Sequence, residues 1–115
     1  MDSEFERQVA TFLAAHHVLS LATTGPDGAH AANLFYACDA LALIWVSDAT
    51  TRHSLHIDAD PRVAATIATD HASFATIRGL QIAGRAQKIA SEPERARCLA
   101  LMEERYPFLR QPEGA

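Results

Sequence analysis

A turn signature between two strand patterns constrains the fold of this 115-residue chain more than any other feature. Gly25-Pro26-Asp27-Gly28 combines a proline, which presets φ, with glycines, which accept positive φ. A strand pattern precedes this turn in residues 18–23, and a second strand pattern follows it in residues 29–36. The turn and its two flanking patterns predict an antiparallel β-hairpin.

Capping residues and periodicity locate the next elements. Ser3 opens an S-x-x-E capping box for an amphipathic helix that ends at Ala15. Residues 41–47 are almost continuously apolar, which predicts a third strand that is buried on both faces or lies in an interface. A short helix is predicted within residues 48–59, with Asp48 as its N-cap.

The later part of the chain continues the same pattern of short strands and a helix. Short antiparallel strands dominate, and a bent strand helps a small sheet to close, so we predict a mainly β (α+β) fold. This fold is a small antiparallel barrel with peripheral helices, in one domain over residues 1–115. The remaining predictions are a strand over residues 63–69, a β stretch over residues 73–89 with a bulge or sharp bend at Gly79, a helix from Ser91 to about Arg105, and no clear element in residues 108–115.

Charge and composition exclude several classes of protein. The formal net charge is −4, and the 9 arginines and single lysine form no basic run, so no nucleic-acid or anionic-membrane partner is predicted. The longest apolar run, residues 40–46, is too short to span a bilayer, and no signal-peptide pattern is present. Cys38 and Cys98 lie in no CxxC motif. We therefore expect reduced structural thiols and a cytoplasmic location.

No familiar catalytic motif is present. The sequence has no G-x-G-x-x-G after a strand, no complete phosphate-binding loop with its lysine, and no G-x-S-x-G elbow. No Cys and His spacing fits a zinc site, and His53 and His56 are interpreted as solvated helix residues. The sequence therefore identifies no catalytic residue and predicts no metal site.

Residues 47–53 carry the best local signal for a ligand. They leave an apolar strand and open a helix, where free backbone N–H groups and a positive dipole end favour an anion. Thr50 and Thr51 add hydroxyl donors, and Arg52 adds a guanidinium fork suited to phosphate oxygens. His53 adds a further donor. From the residues alone two interpretations stay open: a site for a phosphate monoester, and an ordinary capped helix with a surface arginine.

Four segments, in this order and with these spacings, carry a family resemblance. The chain resembles the pyridoxamine-5′-phosphate-oxidase-like split-barrel superfamily, and within it the small bacterial YhbP-like branch, over most of residues 18–107. The segments are Ala-Asn-Leu-Phe-Tyr at residues 32–36, Thr-Arg-His at 51–53, Asp-Pro-Arg-Val at 60–63 and Ile-Arg-Gly-Leu-Gln-Ile-Ala-Gly at 77–84.

The resemblance implies a split β-barrel homodimer that binds FMN at the subunit interface. Relatives hold the flavin phosphate at positions that correspond to Ser47, Thr51, Arg52 and His53, and His53 stands where many relatives carry lysine. Relatives also continue past the last helix into a further strand, which this chain is expected to lack. The other implied cofactor-binding residues are Asn33, Leu34 and Phe35, which would line the isoalloxazine ring, and Arg78, Gly79 and Gln81, which would reach the site from the same or the partner subunit.

The residues themselves also allow structural roles at several of these positions. Asn33 is more typical of a structural hydrogen-bonding residue, and Arg78 is interpreted equally as a solvated strand residue. Phe35, Tyr36 and Trp45 are more typical of a core or an interface than of a flavin contact.

These observations lead to three hypotheses of function. The first is an FMN-dependent oxidoreductase with a small-molecule substrate of unknown identity, in which the flavin supplies the redox chemistry and no catalytic triad is needed. The alternative is a non-catalytic barrel that sequesters or senses flavin, haem or another phosphorylated ligand, with His53, His56 or His71 as haem ligands. A deazaflavin in place of FMN stays open. The third hypothesis is a dimerisation module without a ligand.

Overall fold

The computed structural model describes residues 3–110. The predictions that concern the first two residues and residues 111–115, including most of the tail without an assigned element, lie outside the described residues. The elements in chain order are α1 (Glu4–Ala15), β1 (Val18–Gly25), β2 (Gly28–Phe35), β3 (Ala37–Asp39), β4 (Ala42–Ile44), α2 (Arg52–Ala59), β5 (Arg62–Ala68), β6 (Gly79–Arg85) and α3 (Glu92–Arg105), followed by a 3-10 helix (Pro107–Arg110).

The predicted hairpin is confirmed and forms one half of the main sheet. β1 and β2 pair antiparallel from Val18 opposite Phe35 to Gly25 opposite Gly28. Gly28 has the positive φ of 105° that glycine accepts in a tight turn. The four-stranded sheet has the order β2-β1-β5-β6, and β3 pairs with β4 in a separate two-stranded sheet. The α+β class is therefore confirmed, but the two sheets of residues 3–110 do not close into a barrel.

The main core lies on the inner face of the four-stranded sheet, against α1. Leu19 and Leu21 of β1 are almost fully buried there and pack with Leu13 of α1. Tyr36 is fully buried, and its hydroxyl donates to the carbonyl of Leu13 at 2.8 Å. Tyr36 is therefore a core residue, and its hydroxyl fastens α1 to the end of the hairpin.

A second core joins α3 to the two-stranded sheet. Cys98 and Met102 of α3 are buried with Ile44 of β4 and with Tyr106, the C-cap of α3. Cys98 and Cys38 are free thiols. Burial raises the pKa of the Cys38 thiol, which keeps it protonated and unreactive.

Arg105, the last residue of α3, ties the C-terminal helix to the N-terminal helix. Its guanidinium donates to the carbonyls at the end of α1 and to the backbone after β2, and it lies 5.0 Å from the centre of the Tyr36 ring. The last carbonyls of a helix lack the usual partner within the helix, and Arg105 adds donors there beside the Tyr36 hydroxyl, which already donates to the carbonyl of Leu13. The acceptors are the carbonyl oxygens of Leu13, Ala14, His16 and Tyr36.

The outer face of the sheet is exposed and carries two cross-strand rows of side chains. The first, called the alanine row, runs in register across the four strands through small side chains. The second, called the polar row, lies directly beside it. The alanine row comprises Ala31, Ala22, Ala64 and Ala83, and the polar row comprises Asn33, Ser20, Thr66 and Gln81.

The region between the two halves of the chain differs from the prediction. The third strand extends only over Ala42–Ile44, and Val46 beyond it is half-exposed, so residues 41–47 are not buried on both faces. Asp48 is not the N-cap of α2. Its carboxylate accepts hydrogen bonds from the amide and hydroxyl of Thr50, and Thr51 caps the helix instead. Two competent caps stand three residues apart, and the local turn engages the first one.

The predicted β stretch over residues 73–89 is also wrong at both ends. Residues 73–77 form a turn, in which the carbonyl of Ser73 accepts from the amide of Thr76 at 3.2 Å. β6 pairs regularly with β5 from Gly79 opposite Ala68 and ends at Arg85, so Gly79 is no bulge. A Cβ at Gly79 would lie 2.9 Å from the carbonyl oxygen of Ile67, which explains the glycine by close backbone approach.

Candidate functional site

The first turn of α2 presents unused backbone donors. The Thr51 hydroxyl accepts from the amide of Ser54 and donates to the Asp48 carbonyl at 2.8 Å. Within residues 3–110 the amides of Arg52 and His53 have no hydrogen-bond acceptor. Two adjacent free N–H groups at the positive end of a helix form a cradle for an anion. The predicted helix opening is therefore present, three residues later than expected.

The His53 side chain points inward and contacts Ser47. Its Nε2 lies 2.8 Å from the Ser47 hydroxyl and 3.3 Å from that of Thr51. The ring is buried, and burial lowers the pKa of His53, with the nearby His30 acting in the same direction. A neutral imidazole is therefore favoured, and His53 offers an anion its amide rather than a positive side chain.

The guanidinium of Arg52 pairs with the hairpin turn between β1 and β2. Its Nε lies 2.7 Å from Oδ2 of Asp27, and its Nη2 donates to the Asp27 carbonyl at 3.4 Å. Both side chains are about half-exposed, Arg52 at 44% and Asp27 at 53%. The cation that the sequence predicts for a phosphate is therefore engaged by a carboxylate from the turn.

Asp27 also receives a hydrogen bond from a buried histidine. Nε2 of His56 lies 2.7 Å from Asp27 Oδ1, and Nδ1 of His56 lies 2.9 Å from the Thr23 hydroxyl. The bond from His56 lowers the pKa of Asp27, and the charge of Arg52 acts in the same direction. The connectivity is that of a nucleophilic triad, but Thr23 is only 2% exposed, so its hydroxyl cannot reach a substrate. The network is structural.

An apolar groove lies beside the predicted ring-binding segment. Its volume is about 220 Å³, and none of its lining residues is charged. Phe35, Tyr106 and Phe108 form an aromatic cluster at one side, with ring centres 5.2–5.8 Å apart. Val46, the neighbour of Ser47, connects this groove to the start of α2 along the chain. The full lining comprises Asn33, Leu34, Phe35, Val46, Met102, Tyr106, Phe108 and Leu109.

Asn33, Leu34 and Phe35 are thus placed together at the groove, but their side chains differ in environment. Leu34 packs against the main core, whereas Phe35 is half-exposed. The side-chain oxygen Oδ1 of Asn33 accepts from the Ser20 hydroxyl at 2.6 Å, which leaves the side-chain NH₂ group available as a donor.

Arg78 and Gln81 lie apart from both clusters. Gln81 belongs to the polar row that contains Asn33, but three strand spacings separate them, about 14 Å. Arg78 is exposed in the β5–β6 connection, and its carbonyl accepts from the amide and hydroxyl of Thr69. One chain does not bring these two residues to the start of α2 or to the groove.

The interpretation of His53 and His56 as solvated helix residues is wrong, because both are buried where α2 faces the hairpin. The sequence also does not reveal Asp27 as a neighbour of the site, or Tyr106 and Phe108 as lining of the groove. Asp27 was assigned only to a turn, and the turn signal carries no information about what the carboxylate contacts 25 residues later. Tyr106 and Phe108 flank a proline that ends α3. An aromatic pair around a helix-ending proline is the one signal in the sequence that points to this lining.

A larger cavity lies elsewhere in the described chain, and none of the predicted site residues lines it. A cavity of about 360 Å³ lies between α1 and α3, lined mainly by alanines and leucines together with Cys38, Glu104 and Arg105. Residues 3–110 contain no cluster of three His, Cys, Asp or Glu side chains in a metal-binding arrangement. Among the same residues, no helix has the length and hydropathy needed to cross a membrane.

Solved structures share this fold. A conserved hypothetical protein of Mycobacterium tuberculosis matches 92% of the chain with a TM-score of 0.79 and 27% identity, over 65% of its own length. The heme storage protein HutZ of Vibrio cholerae matches 93% of the chain with a TM-score of 0.78, over 79% of its own length. Its identity is 17%, so this likeness concerns the fold alone. An F420 reductase matches 79% of the chain, over 70% of its own length, with a TM-score of 0.59 and 27% identity.

Curated relatives are similar over most of the chain. A UPF0306 protein of Serratia proteamaculans is 35% identical over 95 residues, which are 81% of this chain and 66% of that protein. A UPF0306 protein of Photorhabdus laumondii is 34% identical over 86 residues, which are 73% of this chain and 60% of that protein. The chain thus spans somewhat less than two thirds of the length of these relatives.

The family model for pyridoxamine 5′-phosphate oxidase matches residues 5–114, nearly the whole chain. The resemblance carried by the strand and helix motifs is therefore confirmed, and the neighbouring structures support the split-barrel type of fold. The chain belongs to the pyridoxamine-5′-phosphate-oxidase-like superfamily.

Proposed function

We propose that this protein binds FMN and acts as an FMN-dependent oxidoreductase on a small molecule. The observation that carries the proposal is that two unlike surfaces are connected through consecutive residues of the chain. An anion cradle at the start of α2 and an uncharged aromatic groove are joined through the neighbouring residues Val46 and Ser47. FMN has the same two parts, a phosphate and a flat apolar ring.

The phosphate would be held at the start of α2. The free amides of Arg52 and His53 supply two donors, and the Arg52 guanidinium supplies a charge that its pairing with Asp27 leaves only partly available. The hydroxyls of Ser47 and Thr50 lie beside the same turn, where they add polar groups. The residues present fit a phosphate in donor type, with the Asp27 carboxylate as the opposing charge.

The ring would lie along the end of β2. Phe35 and Phe108 offer partly exposed aromatic faces, and the free NH₂ of Asn33 is a donor for a ring carbonyl or nitrogen. Bound FMN supplies hydride or one-electron transfer, and the protein's own residues bind it, orient it and exclude water from one face. The uncharged lining of the groove favours an uncharged substrate next to the ring.

Haem and a deazaflavin are the alternative ligands, because relatives in fold include a heme storage protein and an F420 reductase. A haem ligand needs a histidine with a free ring nitrogen facing open space. Both nitrogens of His56 are engaged, and Nε2 of His53 contacts two hydroxyls. His56 is therefore not available as a haem ligand, whereas Nδ1 of His53 has no hydrogen-bond partner among the described residues and His71 is exposed, so haem stays the alternative ligand. A deazaflavin would use the same cradle and groove.

We further propose that the protein is a homodimer through the outer face of the four-stranded sheet, with the ligand at the interface. Four strands of about seven residues make a face of roughly 450 Å², about half of what a standard interface buries on each partner. The exposed Phe35 and the fully exposed Phe74 lie at the same end of this sheet and would add apolar area. Gln81 of one protomer would then lie near the site of the other.

Sedimentation velocity tests the dimer. Ala22 is central in the alanine row, and Ala22→Arg is expected to convert a dimer into a folded monomer. Ala100→Arg introduces the same charge on an exposed position of α3 and is expected to leave the dimer intact. Monomeric wild-type protein at tens of micromolar would overturn the proposed dimer.

An absorbance spectrum tests the cofactor. Purified protein is incubated with FMN, desalted and scanned, and a retained flavin band in stoichiometric amount is the expected result. Reconstituted protein is then assayed with NADH or NADPH and artificial acceptors, which separates an oxidoreductase from a flavin-storing protein. A featureless spectrum after FMN, together with a Soret band after haem, would overturn the proposal in favour of haem binding.

A further inference from the structure

Asp27 is the residue around which the charges of the candidate phosphate site are arranged. Its carboxylate pairs with Arg52 at 2.7 Å and accepts from His56 at 2.7 Å. Gly25 permits this arrangement, because a Cβ at that position would lie 2.4 Å from the His56 ring. A buried histidine and a tight turn therefore hold Asp27 in front of Arg52.

The charges near the first turn of α2 do not favour a dianion. Arg52 is the cation of the turn, and Asp27 neutralises it. A second carboxylate, Asp48, accepts two hydrogen bonds from Thr50 in the preceding turn. His53 is buried and favoured in its neutral form. The donors suit a phosphate, but the summed charge around them is negative.

We infer that Asp27 is a specificity-determining residue, which weakens the binding of a phosphate dianion by competing with it for Arg52. This inference rests on the proposed function, because it takes the start of α2 as the phosphate site. Arg52 must exchange the Asp27 carboxylate for the phosphate when the ligand binds. The pair is half-exposed, and an exposed ion pair is weak enough for such an exchange.

The competition distinguishes phosphorylated from unphosphorylated ligands. A unit charge several ångströms from a dianion in water changes its affinity by about three- to tenfold at low ionic strength. A ligand without a phosphate, such as riboflavin, would not sense Asp27. Asp27 therefore reduces the preference for FMN over riboflavin.

Flavin fluorescence titrations test this inference with wild-type protein and Asp27→Asn. Asparagine keeps an oxygen acceptor for His56 and removes the charge, and a thermal melt verifies that the variant folds. FMN is expected to bind Asp27→Asn about three- to tenfold more tightly than wild type at low salt, and the difference is expected to shrink at high salt. Riboflavin affinity is expected to be unchanged.

Asp39→Asn is the matched control. Asp39 is also a half-exposed aspartate paired with an arginine, Arg97, at 2.6 Å, but it lies on β3. The Asp39→Asn variant changes the net charge by the same amount as Asp27→Asn, and it is expected to bind FMN with the affinity of wild type. An equal gain in Asp39→Asn would reduce the effect to net charge and overturn the inference.

The two proposals fail in different ways. If wild type binds FMN and Asp27→Asn binds it equally or more weakly, the proposed role of Asp27 is overturned and the proposed function stands. The absence of FMN binding in both proteins overturns the proposed function. In that case inorganic phosphate, followed through the amide resonances of Arg52 and His53, still tests Asp27: equal or weaker phosphate binding by Asp27→Asn overturns the inference.

Discussion

The Ser47 hydroxyl lies 2.8 Å from Nε2 of His53, which joins the chain leaving β4 to the first turn of α2. The ring of His53 also lies 6.4 Å from the ring of His30 in β2 and nearly parallel to it, so the first turn of α2 faces the hairpin as well. The candidate site thus depends on a buried histidine rather than on an exposed loop. Its stability is coupled to the protonation of that histidine.

The fold is expected to become less stable as the pH is lowered, because of His53. Burial lowers the pKa of His53 in the folded protein below the value of about 6.5 expected in the unfolded chain. Protons therefore bind the unfolded state more strongly, so the contribution is fully present above about pH 6.5 and declines as pH falls below it. Urea unfolding between pH 5 and 8 measures this decline, and His53→Gln is expected to flatten it. Equal slopes in both proteins would contradict the assignment.

Gly25→Ala is expected to destabilise the protein by about 2 kcal/mol. The added Cβ would lie 2.4–2.5 Å from the His56 ring, which must move and lose its bonds to Asp27 and Thr23. Gly84→Ala is the matched control, because a Cβ there meets nothing within 4 Å. Its change is expected to stay within about 0.5 kcal/mol. Chemical denaturation of wild type and the two variants measures the free energies of unfolding. Equal losses of stability in Gly25→Ala and Gly84→Ala would refute the packing argument.

Arg105→Met is expected to cost about 1–3 kcal/mol of unfolding free energy, because it removes the guanidinium donor from the carbonyl of Ala14, whereas the carbonyl of Leu13 keeps the Tyr36 hydroxyl. Methionine keeps most of the side-chain volume. Arg95→Met on the same helix removes only an exposed pair with Glu92 and is expected to be nearly neutral. Thermal and urea unfolding compare the two variants. An unchanged free energy of unfolding in Arg105→Met would show that the guanidinium does not stabilise the contact between α3 and α1.

Arg52→Ala is expected to weaken FMN binding by about tenfold, because it removes a charge-assisted bond to the phosphate. Riboflavin affinity is expected to stay the same. His53→Ala is expected to lower stability more than affinity, because its side chain faces Ser47 and only its amide faces the cradle. Isothermal titration with both flavins separates these effects. If Arg52→Ala loses the same affinity for FMN as for riboflavin, the phosphate does not bind at the start of α2.

Phe108→Ala is expected to weaken the binding of FMN and riboflavin equally, by several-fold, because the proposed site places the isoalloxazine ring and not the phosphate in the groove that Phe108 lines. Phe74→Ala removes an aromatic ring that is 98% exposed and lies outside the groove. At protein concentrations where the oligomeric state of this variant equals that of wild type, its flavin affinity is expected to be unchanged. If Phe108→Ala keeps the full affinity for both flavins, the isoalloxazine ring does not bind in this groove.

Local signals predicted the elements well where a few neighbouring residues decide them. The Gly25–Gly28 turn, the Ser3 cap and the Ser91 cap all lie where they were expected. The errors fall where two local solutions compete. Asp48 and Thr51 are both good caps, and residues 73–77 have strand-like residues but no strand to pair with.

The candidate site was predictable in part. The motifs identified Ser47, Arg52 and His53, and the structure places them around one helix opening. Whether Arg52 is free, and whether His53 points inward, depends on Asp27 and on the packing of α2 against the hairpin. Asp27 precedes Arg52 by 25 residues, and no local pattern records that contact.

The sequence by itself determined the family, the hairpin, the capped helices and the residue types at the start of α2, because each of these depends on short-range spacing and side-chain chemistry. Only the tertiary structure decided the charge of the site. Burial favours the neutral form of His53. Coulomb attraction between the hairpin turn and α2 pairs Asp27 with Arg52. Both effects depend on distances through space, which arise only when the sheet and α2 pack together.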